Sequence, residues 1–411
     1  MLSLSKHNVQ VLYLYAATLS GSLLGFVTSI VNTNYLDAAE YGDVRYVQNM
    51  ITFFAALLLF GYFLSGSRLL ALSEEKENSC RIRGAMVVVL LVCSLLLAAA
   101  TFVAGLFHLE SAGVGTLFMI SVPVCFYPLL TYYMNTTAQG DNHIGRLALS
   151  RVLPALLYIP VAYLVYSEFG ATSAMMTLLQ WGIYTSVLVL LVISTRPSFS
   201  NLKPVFRELK DENDRYGKHL YYGSLAMVAT NYLAGVTLGI FNDDNVNVGY
   251  YTLALTLTAP LAYLPGIIGT AYFKKFVNEP RIPRKIFLGT LLITLLSCIV
   301  FVLFIRVFVT WFYPAQYSVV GEYASWMALG FSVHGLGDMI NRFLGSHGEG
   351  RAIKNSSYAC GAFKISGFVF LVWLWNIEGA LLTSVVSSCV YCLALYMYYR
   401  RMSQTKKEKP A

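Results

Sequence analysis

The sequence predicts an all-α membrane protein: twelve transmembrane helices in two six-helix bundles, related by a pseudo-two-fold axis along the membrane normal. Three observations carry this. The 411-residue chain is 57% hydrophobic and only 12% charged, an apolar surplus larger than one soluble core can bury. Its apolar stretches each run to about 20 residues, enough to cross hydrocarbon as helix. The chain also reads twice. A polar stretch at Asp37, then Tyr41-Gly42, then a long apolar run closed by Arg68 recurs as Asp243, then Gly249-Tyr250-Tyr251, then a run closed by Lys274. Gly145-Arg146, following Asn135-Thr136-Thr137, is echoed by Gly350-Arg351 following Asn341. Two copies with an even number of spans sit the same way up, and such a body can rock about a central site.

The expected spans are 9–31, 44–64, 84–106, 114–134, 148–167 and 173–194 in the first copy, and 219–241, 248–271, 286–308, 323–343, 356–375 and 378–399 in the second. Residues 1–194 therefore form the first bundle, 195–218 an elbow, 219–399 the second bundle and 400–411 a basic tail. These runs are too long and continuous for the alternating strands of a barrel. Lys6 and His7 precede a segment too long for a cleavable signal, so the first span is read as a retained anchor. Six of the seven cysteines fall in spans and Cys80 in a loop. They read as small core residues, since Cys389-x-x-Cys392 has no second ligand pair, and no metal or cofactor is expected.

The net charge of +8 is placed for a membrane rather than for nucleic acid, because Lys and Arg near span ends are retained on the cytoplasmic side. The even-numbered loops carry Arg68, Lys76, Arg81 and Arg83, then Arg146, then Arg196 through Lys218, then Lys274 through Lys285, then Arg351 and Lys354. The odd-numbered turns hold Asp37, Glu40, Asp43, Glu110, Glu168, Asp243, Asp244, Glu322 and Glu378, with Arg45 and Arg306 beside them. Both termini are thus expected on the cytoplasmic side of an inner-type membrane. The Lys203-Pro204 start and the Arg207-Glu208-Leu209-Lys210-Asp211-Glu212 run predict a short surface helix in the elbow. No Walker-type glycine loop is present, so energy would come from ion gradients, the membrane potential or the substrate gradient.

Ionisable groups inside the bilayer are functional candidates by default. Lys364 lies about nine residues into the eleventh span; it either snorkels to the headgroups or faces an internal cavity. His334, Asp338 and Arg342 follow at i, i+4 spacing along one face of the tenth span. They form either a local ion pair with a spectator histidine, or a relay or gate. Arg45, Arg146, Arg151 and Arg306 read as interface anchors or as the lining of the two ends of one vestibule. With Lys364 and Arg342 they are the candidate substrate-binding cations. Asp37 and Asp243, at matching turns of the two copies, join His334 and Asp338 as gating or ion-coupling candidates. The first span of each copy is the most polar. Pro123 and Pro128, and Pro260 and Pro265, are expected to bend their helices.

The Tyr35-Leu36-Asp37-Ala38-Ala39-Glu40-Tyr41-Gly42 turn, the segment from Phe60-Gly61-Tyr62 to Arg68, and Val248-Gly249-Tyr250-Tyr251 form a recognisable set. Phe312-Tyr313-Pro314-Ala315-Gln316-Tyr317 and Ile377-Glu378-Gly379-Ala380 complete it. With these, the whole chain resembles the Wzx-type polysaccharide flippases of the multidrug/oligosaccharidyl-lipid/polysaccharide exporter superfamily. The resemblance implies two six-helix bundles around a cavity open alternately to either side. It implies an undecaprenyl-pyrophosphate-linked oligosaccharide as cargo for O-antigen or other surface polysaccharide. It also implies membrane lipids, a polysaccharide polymerase and a chain-length regulator as partners. A cation such as Lys364 would complement the diphosphate.

Two rival readings remain. A membrane-embedded polymerase or glycosyltransferase would need a sizeable outward loop, and these loops are short. A cation-coupled small-molecule exporter of the same superfamily would be expected to bury acidic residues.

Overall fold

The computed structural model describes residues 6–110, 113–141 and 143–405. No strand occurs among them. Two compact units result, Met1–Tyr232 and Leu233–Ala411. Among the described residues, eight helices are long and apolar enough to cross a membrane, or up to nine if one bent pair counts as a single span. The chain is a multi-pass membrane protein.

The first unit contains α1 (Lys6–Tyr35), α2 (Ala38–Leu57), α3 (Tyr62–Leu72), α4 (Lys76–Phe107), α5 (Val114–Ser121), α6 (Tyr127–Gly140), α7 (Ile144–Phe169) and α8 (Ser173–Ser194). Polar residues cap two of its helices where the first backbone N–H groups would otherwise lack partners. Asp37 accepts from the Glu40 N–H at 2.7 Å at the head of α2, and Thr172 accepts from the Met175 N–H at 3.2 Å at the head of α8. At Pro123 and Pro128 the α-helical ladder is interrupted: a 3-10 turn, Val122–Val124, separates α5 from α6.

The sharper bend has no proline. α2 and α3 meet at 61°, where Phe60 and Gly61 take positive φ of 46° and 83°. The carbonyls freed there are recaptured by side chains, as unpaired backbone acceptors require. Tyr221 donates to the Leu57 carbonyl at 2.7 Å, Cys93 to that of Leu58 at 3.2 Å, and Asn213 to that of Phe60 at 3.1 Å.

The predicted elbow helix is α9 (Leu202–Glu212), which buries Val205 and Leu209 on one face. A five-residue π turn, Asn213–Gly217, leads from it into α10 (Lys218–Phe241). This turn crosses the bent span at two glycines. A Cβ on Gly217 would lie 2.0 Å from Ser65 Oγ and 2.5 Å from the Gly61 carbonyl oxygen. Ser65 donates to Asn213 Oδ1 at 3.1 Å, and Arg68 pairs with Glu212 at 2.6 Å while lying over the Tyr216 ring.

At the basic end of the first unit, Arg83 ties three helix ends together. It grips Asp141 after α6 with two nitrogens, at 2.9 and 3.3 Å, and donates to the Thr195 carbonyl after α8 at 2.6 Å. The next residue, Arg196, takes a positive φ of 53°, a conformation that disfavours a side chain.

The boundary between the units falls within α10. The second unit continues with α11 (Val246–Ala271), α12 (Phe273–Val277), α13 (Arg284–Phe312), α14 (Val320–Ser346) and α15 (Gly350–Thr405). Pro260 and Pro265 lie inside α11, which continues through both. α14 contacts α11, α13 and α15, and glycines permit the close approach. A Cβ on Gly335 would sit 2.7 Å from the Ala262 carbonyl oxygen of α11, and one on Gly337 would sit 2.9 Å from the Tyr391 ring of α15. Leu261, Cys298 and Ala328 form a buried core cluster shared by α11, α13 and α14.

α15 is two helices joined across a break. Trp375 and Asn376 leave helical geometry, Asn376 with φ 52° and ψ −129°. The Asn376 side chain clasps the turn before α11, exchanging hydrogen bonds with Asn242 and accepting from Asn247 at 3.2 Å. Asn376→Gly keeps a residue suited to the backbone and removes only the clasp, whereas Asn376→Ala removes the clasp and also strains the backbone. Thermal unfolding of the purified protein should therefore rank the wild type above Asn376→Gly and Asn376→Gly above Asn376→Ala. Equal melting of all three would show that neither term matters.

Candidate functional site

In the second unit, α14 presents the predicted polar face. His334 stacks on Tyr391 of α15, with ring centroids 4.6 Å apart and planes 19° apart. The Tyr391 hydroxyl donates to Asp338 Oδ1 at 3.0 Å and accepts from Asn341 Nδ2 at 2.7 Å. Asp338 is thus engaged by a phenol, not by Arg342: no ion pair joins those two, and Arg342 is exposed with its stem against Gly269 of α11. Lys364 is half-buried in the first part of α15, one turn beyond Cys360, and its charge is close enough to act on both Cys360 and His334. A buried tyrosine thus joins an imidazole and a carboxylate, and the Lys364 cation lies near the imidazole.

In the first unit the corresponding interior charge is Arg45 on α2. It lies 4.8 Å above the Tyr41 ring and donates to Gln48 Oε1 at 2.7 Å; Gln48 in turn donates to Gln180 of α8 at 3.3 Å. Its Nε is buried with no hydrogen-bond partner, as is Nδ2 of Asn32 on α1. Around it stand phenols whose electrostatic environment it shapes: Tyr127, Tyr158, Tyr166 and Tyr184. Tyr158 bridges Asn32 at 2.5 Å and Tyr166 at 2.8 Å. A guanidinium with spare donors among aromatic hydroxyls can bind an anion and a sugar face by hydrogen bonds and stacking.

The other candidates lie elsewhere. Arg151 donates to Thr18 of α1. Arg146 lies at the basic end and donates to the Ser194 carbonyl at 3.2 Å. Arg306 is exposed on α13, with its backbone against Gly321. Asp37 caps α2. Asp243 is exposed, and its neighbour Asp244 makes the turn bond, accepting from the Val246 N–H at 3.1 Å. Sequence reading missed Tyr391, Gln48 and Gln180. Gln48 had a signal, since it lies three residues after Arg45 on the same helix face; Tyr391 had none.

The model of the family described as "Polysaccharide biosynthesis protein" matches residues 9–273. The chain belongs to this family. Among curated proteins no relative matches. Among solved structures, this family member resembles the lipid II flippase MurJ in an inward closed conformation, with a TM-score of 0.73 and 13% identity over 95% of this chain and 90% of that one. It also resembles an inward-facing multidrug resistance MATE family transporter of the MOP superfamily, with a TM-score of 0.70 and 15% identity over 98% and 100%. A third match is a MOP superfamily transporter from Pyrococcus furiosus described as having a binding pocket of reverse polarity, with a TM-score of 0.58 and 14% identity over 96% of both chains. The family member thus has the fold of the MOP-superfamily transporters.

Proposed function

We propose that the protein is a flippase that moves an undecaprenyl-pyrophosphate-linked oligosaccharide across the bacterial inner membrane by alternating access, for O-antigen or another surface polysaccharide. The observation that carries this reading is the pair of interior cations, Arg45 and Lys364, held within the helix layers of the two units of a chain from this family. A diphosphate-sugar headgroup cannot enter hydrocarbon unaided, and interior cations beside phenols complement both its charge and its sugars. In this reading Arg45 and Lys364 bind the headgroup, Arg151 and Arg342 assist from their own helices, and His334 and Asp338 couple proton or ion movement. The transporter does no bond chemistry of its own, and a polymerase and a chain-length regulator act on its product.

The reading counts twelve spans in two six-helix bundles: the bent α2–α3 pair as one, α15 as two across Asn376, and α10 and α14 as spans despite their polarity. α14 carries Glu322, Asp338 and Arg342, which lower its mean hydropathy. Both termini and the elbow are then cytoplasmic. Cysteine labelling of intact cells tests this arrangement: a cysteine at exposed Ser200 should be protected and one at exposed Asp243 should react. The opposite pattern would invert the map.

The functional test is a deletion strain, which should assemble the lipid-linked sugar normally yet lose surface polymer. Normal surface polymer without a redundant flippase would count against the proposal. The Asp338–Tyr391 pair favours a second reading, a cation-coupled exporter of the same superfamily. That reading predicts drug sensitivity in the deletion strain with surface polymer intact.

A further inference from the structure

A second charged feature lies apart from the interior cations, at the basic end of the first unit. A cavity of ≈ 480 Å³ opens between the ends of α4, α7 and α8, and its lining includes Lys76, Arg83, His143, Arg146 and Arg196. No carboxylate lines it. The nearby Asp141 is already held by Arg83. Its floor is fixed, because the Ser198 N–H donates to the Cys80 carbonyl at 2.8 Å and the 197–200 loop lies so close to α4 that a Cβ on Gly84 would meet the Ser198 carbonyl.

Directly beyond it, between the same two helices α4 and α8, runs an apolar groove of ≈ 410 Å³ lined by residues including Val87, Leu90, Val189, Ile193 and Phe199. Arg196 borders both. Its unfavourable backbone conformation is where the chain turns away from α8. Ile193 and Phe199 are more than half exposed, at 61% and 56%.

We infer that this is a binding site for an anionic phospholipid, with the phosphate headgroup in the basic cavity and an acyl chain in the adjoining groove. Charge complementarity selects an anion, and the contiguous apolar slot selects an anion carrying a chain over free phosphate. The site takes a lipid of the surrounding leaflet rather than the transported cargo. It therefore does not depend on the transport reading, and its test measures binding alone.

The test uses the purified full-length protein in neutral detergent, titrated separately with phosphatidylglycerol, phosphatidylethanolamine, inorganic phosphate and undecaprenyl phosphate. Binding is read by native mass spectrometry, with thermal shift in parallel. Phosphatidylglycerol should bind and stabilise the protein, and inorganic phosphate and phosphatidylethanolamine should bind far more weakly. Arg146→Gln/Arg196→Gln should weaken phosphatidylglycerol binding about thirtyfold, roughly fivefold for each cation removed near a lipid surface. Arg146→Lys/Arg196→Lys should retain most of it. Arg196→Gly separates fold from charge, since it suits the left-handed backbone while removing the guanidinium; it should lose affinity without losing thermal stability. Ile193→Trp, which fills the groove, should weaken phosphatidylglycerol while leaving phosphate unchanged. Equal affinity of wild type and the double Gln variant for phosphatidylglycerol would overturn the proposal. So would phosphate binding as tightly as phosphatidylglycerol, or the Arg146→Gln/Arg196→Gln variant losing undecaprenyl phosphate affinity more than phosphatidylglycerol affinity.

Discussion

Lys364→Ala is expected to abolish or severely reduce export of the polysaccharide unit while the protein stays at normal levels in the membrane. The lysine is half-buried in the helix layer, and its charge acts on His334 and Cys360. Holding an ammonium there costs several kcal/mol relative to water, roughly 2.5–3.5 kcal/mol by insertion measurements. Removing it should therefore leave stability unharmed while removing attraction for an anionic headgroup. Lys364→Arg should retain much more activity than Lys364→Glu, because the requirement is for positive charge more than for one geometry. His334, Asp338 and Arg342 should matter less one at a time. Complementation of surface polysaccharide in a deletion strain, with immunoblotting of the membrane fraction, measures both quantities. Full activity of Lys364→Ala at matched expression would reduce the residue to a snorkelling side chain and leave the headgroup to Arg45.

The second large effect is on stability. Arg83→Ala should sharply lower the melting temperature of the purified protein and its level in the membrane. The guanidinium side chain is only 11% exposed and its Asp141 partner 7%. Truncating one member strands a carboxylate and the Thr195 carbonyl, and breaking such a pair costs about 3–5 kcal/mol. The double variant Arg83→Met/Asp141→Leu should recover much of the loss, since it removes both charges and keeps the volume. A double variant no better than Arg83→Ala would mean that the damage comes from lost packing at the helix ends and not from an orphaned charge.

How much of this was legible in the sequence depended on the range of the interaction. The membrane-crossing helices and the elbow helix were legible because apolar length and amphipathic spacing are local properties; against twelve expected spans, eight helices among the described residues, or up to nine with the bent pair, are long and apolar enough to cross. Lys364 and the His334, Asp338, Arg342 face were found by the same means: depth along a span can be read from position alone. The partners of Asp338 could not be found this way. Spacing suggested Arg342, but the bond goes to Tyr391, 53 residues away, on a helix whose facing is set by the glycines of α14. Pro260 and Pro265 continue inside α11, while the bend at Phe60 and Gly61 is held by Tyr221, Cys93 and Asn213, none of which is near in sequence. Arg83 read as an ordinary loop charge and Asp141 was not singled out, because their pairing exists only once α4 and α6 are side by side.

The glycine crossing at Gly61 and Gly217 carries a mechanical consequence. The π turn after α9 is stapled to the knee of the bent α2–α3 pair, and α10 starts at the very next residue after the staple. The knee cannot straighten without prising Gly217 away from Ser65 and drawing on the first turn of α10. Flexing one short joint thereby draws on the first turn of α10, and a single methyl group at Gly217 would jam it.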